Sequence, residues 1–239
     1  MMKSADVPLL DFSEMDSKYH VKKEAIFYKT DHHWKSEAAF IATQMLCQEL
    51  NKQYGLSINS EYLDLKNYNI KTYPSWFLGS RGKKVGTFFT WSGADDFDLI
   101  TPNFETNLVE EQPFKNEIRK GTFTETVLFT ENLKKDYYNI NTYVTYSGGD
   151  YRLQIMKNNL NPNGKKALLI RDSFACSVAP FLSLQFSELH LCDMRNYESF
   201  VGKKINVKDY IQTFKPDYVL VLYSGITSLE NSEGRFDFF

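Results

Sequence analysis

Between residues 36 and 50 the apolar positions recur at helical spacing: Ala39, Ala42, Leu46 and Leu50 form one stripe, and Ala38, Ile41 and Met45 widen it. A stripe of that width predicts an amphipathic helix packed on a core, with Gly55 just beyond its end. Just upstream, Ile26, Phe27 and Tyr28 predict a short extended segment. In the last third the pattern changes from stripes to unbroken runs. ALLI (167–170), ELHLC (188–192) and DYVLVLY (217–223) are of the kind found in strands buried on both faces. FACSVAPFLSLQF (174–186) and INVKDYIQTF (205–214) lie between them and are long enough to be helical crossovers, the first kinked or delayed by Pro180. Alternating strands and crossovers predict a three-layer α/β domain on a mainly parallel sheet, with ligands off the carboxyl ends of its strands.

The middle of the chain is less regular. Residues 60–115 carry short runs such as VGTFFTW (85–91) between turn-like SRGKK and SGADD, which predicts short strands and long loops rather than helices. One domain over residues 1–239, with an irregular insertion at about 60–130, accommodates both patterns. KKDYYNINTYVTYSGGD (134–150) is polar and aromatic and ends at Gly148-Gly149, where glycine permits a tight turn. An aromatic loop beside such a turn fits a substrate cleft and plain surface architecture equally well.

Composition narrows the function classes. A chain of 239 residues, 42% hydrophobic and 24% charged, suits a soluble globule that buries a sizeable core without staples. Its formal charge of -2, with no long basic run, argues against nucleic acid as a partner. Cys47, Cys176 and Cys192 match neither a zinc knuckle nor a disulfide framework, and no cofactor motif stands out. No window approaches a membrane span and MMKSADVPLL lacks a signal-peptide core, which leaves open a targeting or sheet segment ahead of the chain.

Two stretches carry candidate chemistry. In RDSFACS, Ser173 follows the ALLI strand, so its hydroxyl would emerge at the carboxyl end of a central strand, beside the free N–H groups of the next helix. That placement suits a nucleophile, but it equally suits a helix cap, a job Asp172 could share. In FYKTDHHWKSEAAF (27–40), Asp31 and His33 are two apart and would project to one side of an extended backbone, while His32 points elsewhere. Asp31 could then hold the Nδ1 proton of His33 and leave Nε2 free to take the Ser173 proton. His20 lies in an uninformative polar segment, and His190, inside ELHLC, reads as a satisfied core or edge imidazole. Asp31, His32 and His33 could instead ligate a metal, as in a phosphoesterase, although adjacent side chains diverge in an extended segment. Serine catalysis, metal chemistry and a structural or binding role all remain open on the residues alone.

FYKTDHHW (27–34), FLGSRGKKVG (77–86), YSGGD (146–150), LLIRDSFACSVAPFL (168–182), LCDMRNY (191–197) and YVLVLYSG (218–225) together resemble, in the same order, the segments of the bacterial DHHW proteins. Those proteins are similar to the SGNH-hydrolase-like alginate O-acetylation proteins. The resemblance implies an SGNH-like α/β fold with a rearranged order of catalytic residues: Asp31 as orienting acid, His33 as base and Ser173 as nucleophile. It further implies an O-acyltransferase or acyl esterase, acetyl being the expected group, acting on a cell-envelope polysaccharide outside the cytoplasm with an acyl-donating membrane protein as partner. A noncatalytic carbohydrate-binding or scaffold protein of the same fold is the alternative. Arg195 corresponds to an arginine that contacts substrate or the acyl carbonyl. For the oxyanion, the Ser173 amide, an amide near Gly79 or Gly148-Gly149, and Arg195 are candidate donors. Trp76, Tyr146 and Tyr197 are candidates for a sugar platform. Relatives commonly have threonine where this chain has Lys35, which shifts the expected cap of the following helix to Ser36.

Overall fold

The structure, a computed structural model, describes residues 7–88, 90, 93–224 and 234–238. Its strands are β1 (Tyr68–Phe77), β2 (Asp95–Pro102), β3 (Leu108–Gln112), β4 (Glu117–Gly121), β5 (Leu153–Asn158), β6 (Lys166–Arg171), β7 (Glu188–Cys192) and β8 (Tyr218–Leu222). Helices α1 (Met15–Tyr19) and α2 (Lys23–Ile26) precede the long α3 (Ser36–Tyr54); α4 (Ser80–Val85), α5 (Phe123–Thr126), α6 (Ala179–Ser183), α7 (Tyr197–Val201) and α8 (Val207–Phe214) follow.

The three apolar runs are strands β6, β7 and β8, with β6 in the middle and parallel to both neighbours. Ala167 and Leu169 face a large core shared with α3 and α6, while Leu168 and Ile170 face a smaller one with Met194 and Val207. A strand covered on both sides has no polar face to display, which is why these segments read as continuous apolar runs. Helices therefore lie on both faces of this part of the sheet, in three layers.

The expectation of a mainly parallel sheet is wrong. The six-stranded sheet runs β4-β3-β5-β7-β6-β8. Its β4–β3, β3–β5 and β5–β7 pairings are antiparallel, and only β7–β6 and β6–β8 are parallel. β3 and β4 are joined by a short turn with Asn116 at φ 54, and a connection that short returns a strand only in the opposite direction. The antiparallel half escaped the periodicity because many of its buried positions are polar: Glu110, Gln112, Gln154 and Asn158 are buried beside Leu108, Leu153 and Met156. Gln154 Nε2 donates to Glu110 Oε1 at 2.8 Å and to Ser147 O at 3.0 Å, and Asn158 Nδ2 donates to Leu184 O at 3.1 Å. Burial pushes the Glu110 carboxyl above its usual range. Polar side chains turned into a core erase the apolar alternation by which a strand is read.

Other local expectations also need correction. SRGKK is not a turn but most of α4, and the described residues of VGTFFTW form no strand: Val85 closes α4 and Gly86 turns the chain at φ 80, while Phe89 and Trp91 lie outside the described residues. The expected irregular insertion contains a separate antiparallel ribbon, β1–β2. Helix α3 runs past Leu50 to Tyr54 and stops at Gly55, whose φ of 67 lets its amide reach Asn51 O at 2.9 Å. Ser36 does not cap it. Lys35, extended and donating its N–H to Ile26 O at 2.8 Å, takes the cap position, and Ser36 is the first, buried, helical residue. Between β6 and β7 the expected long helix is a short 3-10 turn, Ser173–Cys176, followed by α6, which Pro180 opens.

Candidate active site

Residues 27–34 fold back on themselves just before α3. Phe27 and Trp34 pair as an antiparallel bridge, and Tyr28 N–H donates to His33 O at 3.1 Å. The Asp95 carboxylate on β2 anchors the tip, accepting from the N–H of Lys29 (2.9 Å), the N–H of Thr30 (2.8 Å) and the Thr30 hydroxyl (2.6 Å). The N-terminus of α4 holds it from the other side: Gly79 N–H donates to Thr30 Oγ1 at 2.9 Å, and Ser80 N–H donates to Asp31 Oδ2 at 2.6 Å. A Cβ on Gly79 would lie 2.7 Å from Asp31 Cγ and closer still to Asp31 Cβ. Gly79→Ala is therefore expected to lose about 1–3 kcal/mol of stability through overpacking and to displace Asp31. Chemical denaturation measures the loss, and an unchanged midpoint would show that the loop yields freely.

Asp31 Oδ1 accepts from His33 N–H at 3.0 Å and from the His33 Nδ1 proton. Burial alone would raise the Asp31 carboxyl, but these bonds, the His33 charge and the Ser80 amide outweigh it and hold the group well below the usual carboxylate range. The other ring nitrogen, His33 Nε2, lies 2.7 Å from Ser173 Oγ, a meeting of residues 140 positions apart. Ser173 does not cap the turn it begins. Asp172 does, accepting Phe174 N–H at 3.0 Å on one carboxylate oxygen and Ser224 N–H at 2.8 Å on the other.

Two aromatic residues brace this meeting. Tyr143, fully buried, stacks on His33 with centroids 3.9 Å apart and planes at 15°, and its hydroxyl donates to Ser173 O at 2.9 Å. Trp34 Nε1 donates to Phe174 O at 3.0 Å and to Ser177 Oγ at 2.9 Å. The base and the turn that bears Ser173 thus share both supports.

Arg171, the last residue of β6, has no exposed surface and donates to Asp150 Oδ1 (2.9 Å), Gly149 O (2.8 Å) and Cys176 Sγ (3.2 Å). Ser147 Oγ donates to Cys176 O at 2.8 Å. Residues 147–150 are thereby held against the Ser173 turn, with Gly148 at φ 71 and Gly149 at φ 130. Burial would raise the Asp150 carboxyl, yet Arg171 and Arg195 together keep it below its ordinary value. The Arg195 guanidinium is engaged by Asp150 Oδ2 (2.8 Å) and by Asp193 (2.6 and 3.0 Å). Its described bonds hold the glycine loop in place.

Of the residues singled out from the sequence, the fold brings Asp31, His33 and Ser173 together and sets Gly79 and Gly148-Gly149 around them. The Gly79 amide is spent on Thr30. Tyr146 is wholly buried, its hydroxyl accepting Ile100 N–H at 2.8 Å, and Tyr197 is buried in the smaller core, so neither offers an open face to a sugar. Trp76 is half-buried on β1, beside Tyr73. Asp95, Tyr143 and Arg171 were missed. Only Arg171 left a trace, as a charge ending an apolar strand. His190 is the satisfied imidazole expected of it, bonded to Tyr210 Oη (2.6 Å) and Glu188 Oε1 (2.9 Å).

Asp31, His32 and His33 place ligand atoms within 4.8 Å of one another. The expected divergence of the adjacent histidines is absent, because the segment is a tight turn: the two rings lie 3.9 Å apart. The donor set nevertheless fits a metal poorly. Both nitrogens of His33 and both oxygens of Asp31 are already engaged in the bonds that hold the loop, and His32 Nδ1 lies 3.2 Å from Ser80 Oγ. An ion would have to break those bonds to gain its ligands.

The comparisons with known proteins agree with this architecture. A DHHW family protein from Eubacterium siraeum superposes with a TM-score of 0.68 at 20% identity, over 94% of this chain and 67% of that one. Bacillus cereus PatB1 gives a TM-score of 0.68 at 20% identity over 92% of this chain and 71% of that one. PatB1 has also been solved with a sulfonyl adduct, a structure of which 68% is covered. At that identity the likeness is one of fold. No curated protein matches the chain. Residues 12–192, which include the hairpin, the glycine loop and the Ser173 turn, match the family described as DHHW protein, and the chain belongs to that family.

Proposed function

We propose that this protein is a serine-dependent O-acyltransferase or acyl esterase, with acetyl as the acyl group and a cell-envelope glycan as acceptor, working outside the cytoplasm. The observation that carries the reading is the continuous hydrogen-bonded line from Asp31 Oδ1 through His33 to Ser173 Oγ, the last step 2.7 Å. An ionised carboxylate on Nδ1 keeps that proton in place and leaves Nε2 able to accept the Ser173 proton. Ser173 Oγ then attacks the ester carbonyl as Nε2 takes its proton. Collapse of the tetrahedral intermediate breaks the bond to the leaving alcohol, which receives the proton from Nε2. A glycan hydroxyl or water, deprotonated by His33, next attacks the acyl-Ser173 ester, and Ser173 recovers its proton. The Ser173 and Gly149 amides are the candidate oxyanion donors, since Arg171 and Arg195 fix the loop that carries the second. Trp76 remains the candidate sugar platform. Among the described residues no helix is long and apolar enough to cross a membrane; an acyl-donating membrane protein is the partner this reading proposes.

A sulfonyl fluoride tests the nucleophile directly, because an activated serine displaces fluoride from sulfur and keeps the sulfonyl group. That PatB1, of the same fold, carries a sulfonyl adduct supports this choice of probe. Intact-mass and peptide mapping are expected to find one adduct on Ser173, absent from Ser173→Ala. Folded protein that stays unlabelled at neutral pH, or is labelled elsewhere, would overturn the reading.

A further inference from the structure

His32 has no part in the proton relay, yet it lies directly on it. Its ring centroid is 3.9 Å from that of His33 with planes at 37°, and Tyr143 stacks on His33 at the same 3.9 Å with planes at 15°. Two rings that close to one imidazole cannot share a face without overlapping, so they cover opposite faces. Tyr143 is fully buried on the core side. The His32 side chain is 39% exposed, whereas that of His33 is 8% exposed, so His32 stands between the base and solvent. Its Nδ1 is held by Ser80 Oγ at 3.2 Å, on the same helix terminus that fixes Asp31.

We propose that His32 is a positioning residue for the base: a ring that shuts the solvent side of His33, keeping water from the imidazole and so directing the acyl group on Ser173 to a glycan hydroxyl rather than to water. The second half of this statement rests on the acyl-transfer reading, and the first does not. Either acceptor breaks the same bond, between Ser173 Oγ and the acyl carbon, and gives its proton to His33 Nε2. They differ in what must reach that nitrogen. Nε2 accepts a proton only through its in-plane lone pair, which points at Ser173, so the difference lies in how that edge is reached. Over an open face water has a free path to it, whereas with both faces covered the edge is reached only from the Ser173 side, where a bound glycan hydroxyl takes the place of water. The shield works best uncharged, because a cation stacked on His33 would oppose the positive charge that ring acquires. Burial, His33 and Arg81 disfavour the His32 cation; Asp31, at 3.5 Å, and Asp172 favour it; the balance lies below the ordinary imidazole value. Phe174, 6.1 Å from His32, completes the ring cluster.

His32→Ala removes the shield and His32→Phe replaces it with an untitratable ring. The low-field NMR signal of the His33 Nδ1 proton reports solvent access whether or not Ser173 is ever acylated. Its exchange with water is expected to quicken at least about tenfold in His32→Ala and to return near the wild-type rate in His32→Phe. With an aryl acetate as donor and a cell-wall oligosaccharide as acceptor, the share of acyl lost to hydrolysis is expected to rise several-fold in His32→Ala and to recover in His32→Phe. Unchanged exchange in His32→Ala would overturn the shield. Faster exchange with an unchanged partition would overturn its role in choosing the acceptor. If Ser173 carries no acyl or sulfonyl group in the wild type, the acyl-transfer reading and the acceptor role fall together, and the exchange rates still decide the shield.

Discussion

Ser173→Ala and His33→Ala are each expected to cut acetyl-ester turnover by about 10⁴-fold or more, and the double variant to lose little beyond either single one. The non-additivity is the informative part. Ser173 Oγ is a poor nucleophile unless His33 Nε2, 2.7 Å away, takes its proton, and His33 has no other task in the relay once that hydroxyl is gone. The two changes therefore delete one function twice. The fold should survive, because the turn is capped by Asp172 and tied by Tyr143 and Trp34, none of which bonds to Ser173 Oγ. A structural serine would behave differently. Loss of a cap costs on the order of 1 kcal/mol of stability and leaves residual turnover untouched. Steady-state rates beside denaturation midpoints separate the two cases, and wild-type turnover in Ser173→Ala would end the acyl-transfer account.

Asp31→Asn is expected to cost on the order of 10⁴-fold in kcat while leaving KM nearly unchanged. An amide can donate to Nδ1, which moves the ring proton to Nε2 and turns the base into a donor facing Ser173. The same substitution has a pH-dependent effect on stability. The folded Asp31 carboxyl is depressed, so its stabilisation is fully present above the unfolded value near 3.8 and is lost only as pH falls towards the much lower folded one. At pH 7 the variant should unfold more easily than wild type, and the gap should narrow below pH 3.8. Denaturation at pH 7 and at pH 3 measures that gap. A difference that widens on acidification would mean that Asp31 is not held ionised by its partners.

The parts of this protein readable from its sequence are those in which local and tertiary demands coincide. Strands β6, β7 and β8 are covered on both faces, and helix α3 has one apolar side and a glycine stop, so their patterns declare them. Spacing placed Asp31 two residues before His33, and the strand rule placed Ser173 at a carboxyl end; both groups of residues are local enough for a pattern to find. The antiparallel half of the sheet was illegible, because Glu110, Gln112, Gln154 and Asn158 turn polar side chains inward and Gln154 donates to Glu110 there. Periodicity measures transfer from water, and a buried hydrogen-bonded pair leaves no such mark.

The sequence by itself determined which side chains are available for acid–base and nucleophilic chemistry, and which segments are the strands of the parallel half. Only the tertiary structure decided that His33 meets Ser173 across 140 positions, that Asp172 and not Ser173 is the cap, and that His32 lies on His33 instead of pointing away. It also decided the supports: Asp95 under the hairpin, Tyr143 behind the base, and Arg171 between the glycine loop and the Ser173 turn. The physical reason is one of range. Backbone preference and side-chain periodicity act over a few residues, whereas a hydrogen bond or a ring contact takes its partner from whatever the packed chain brings within about 3–6 Å.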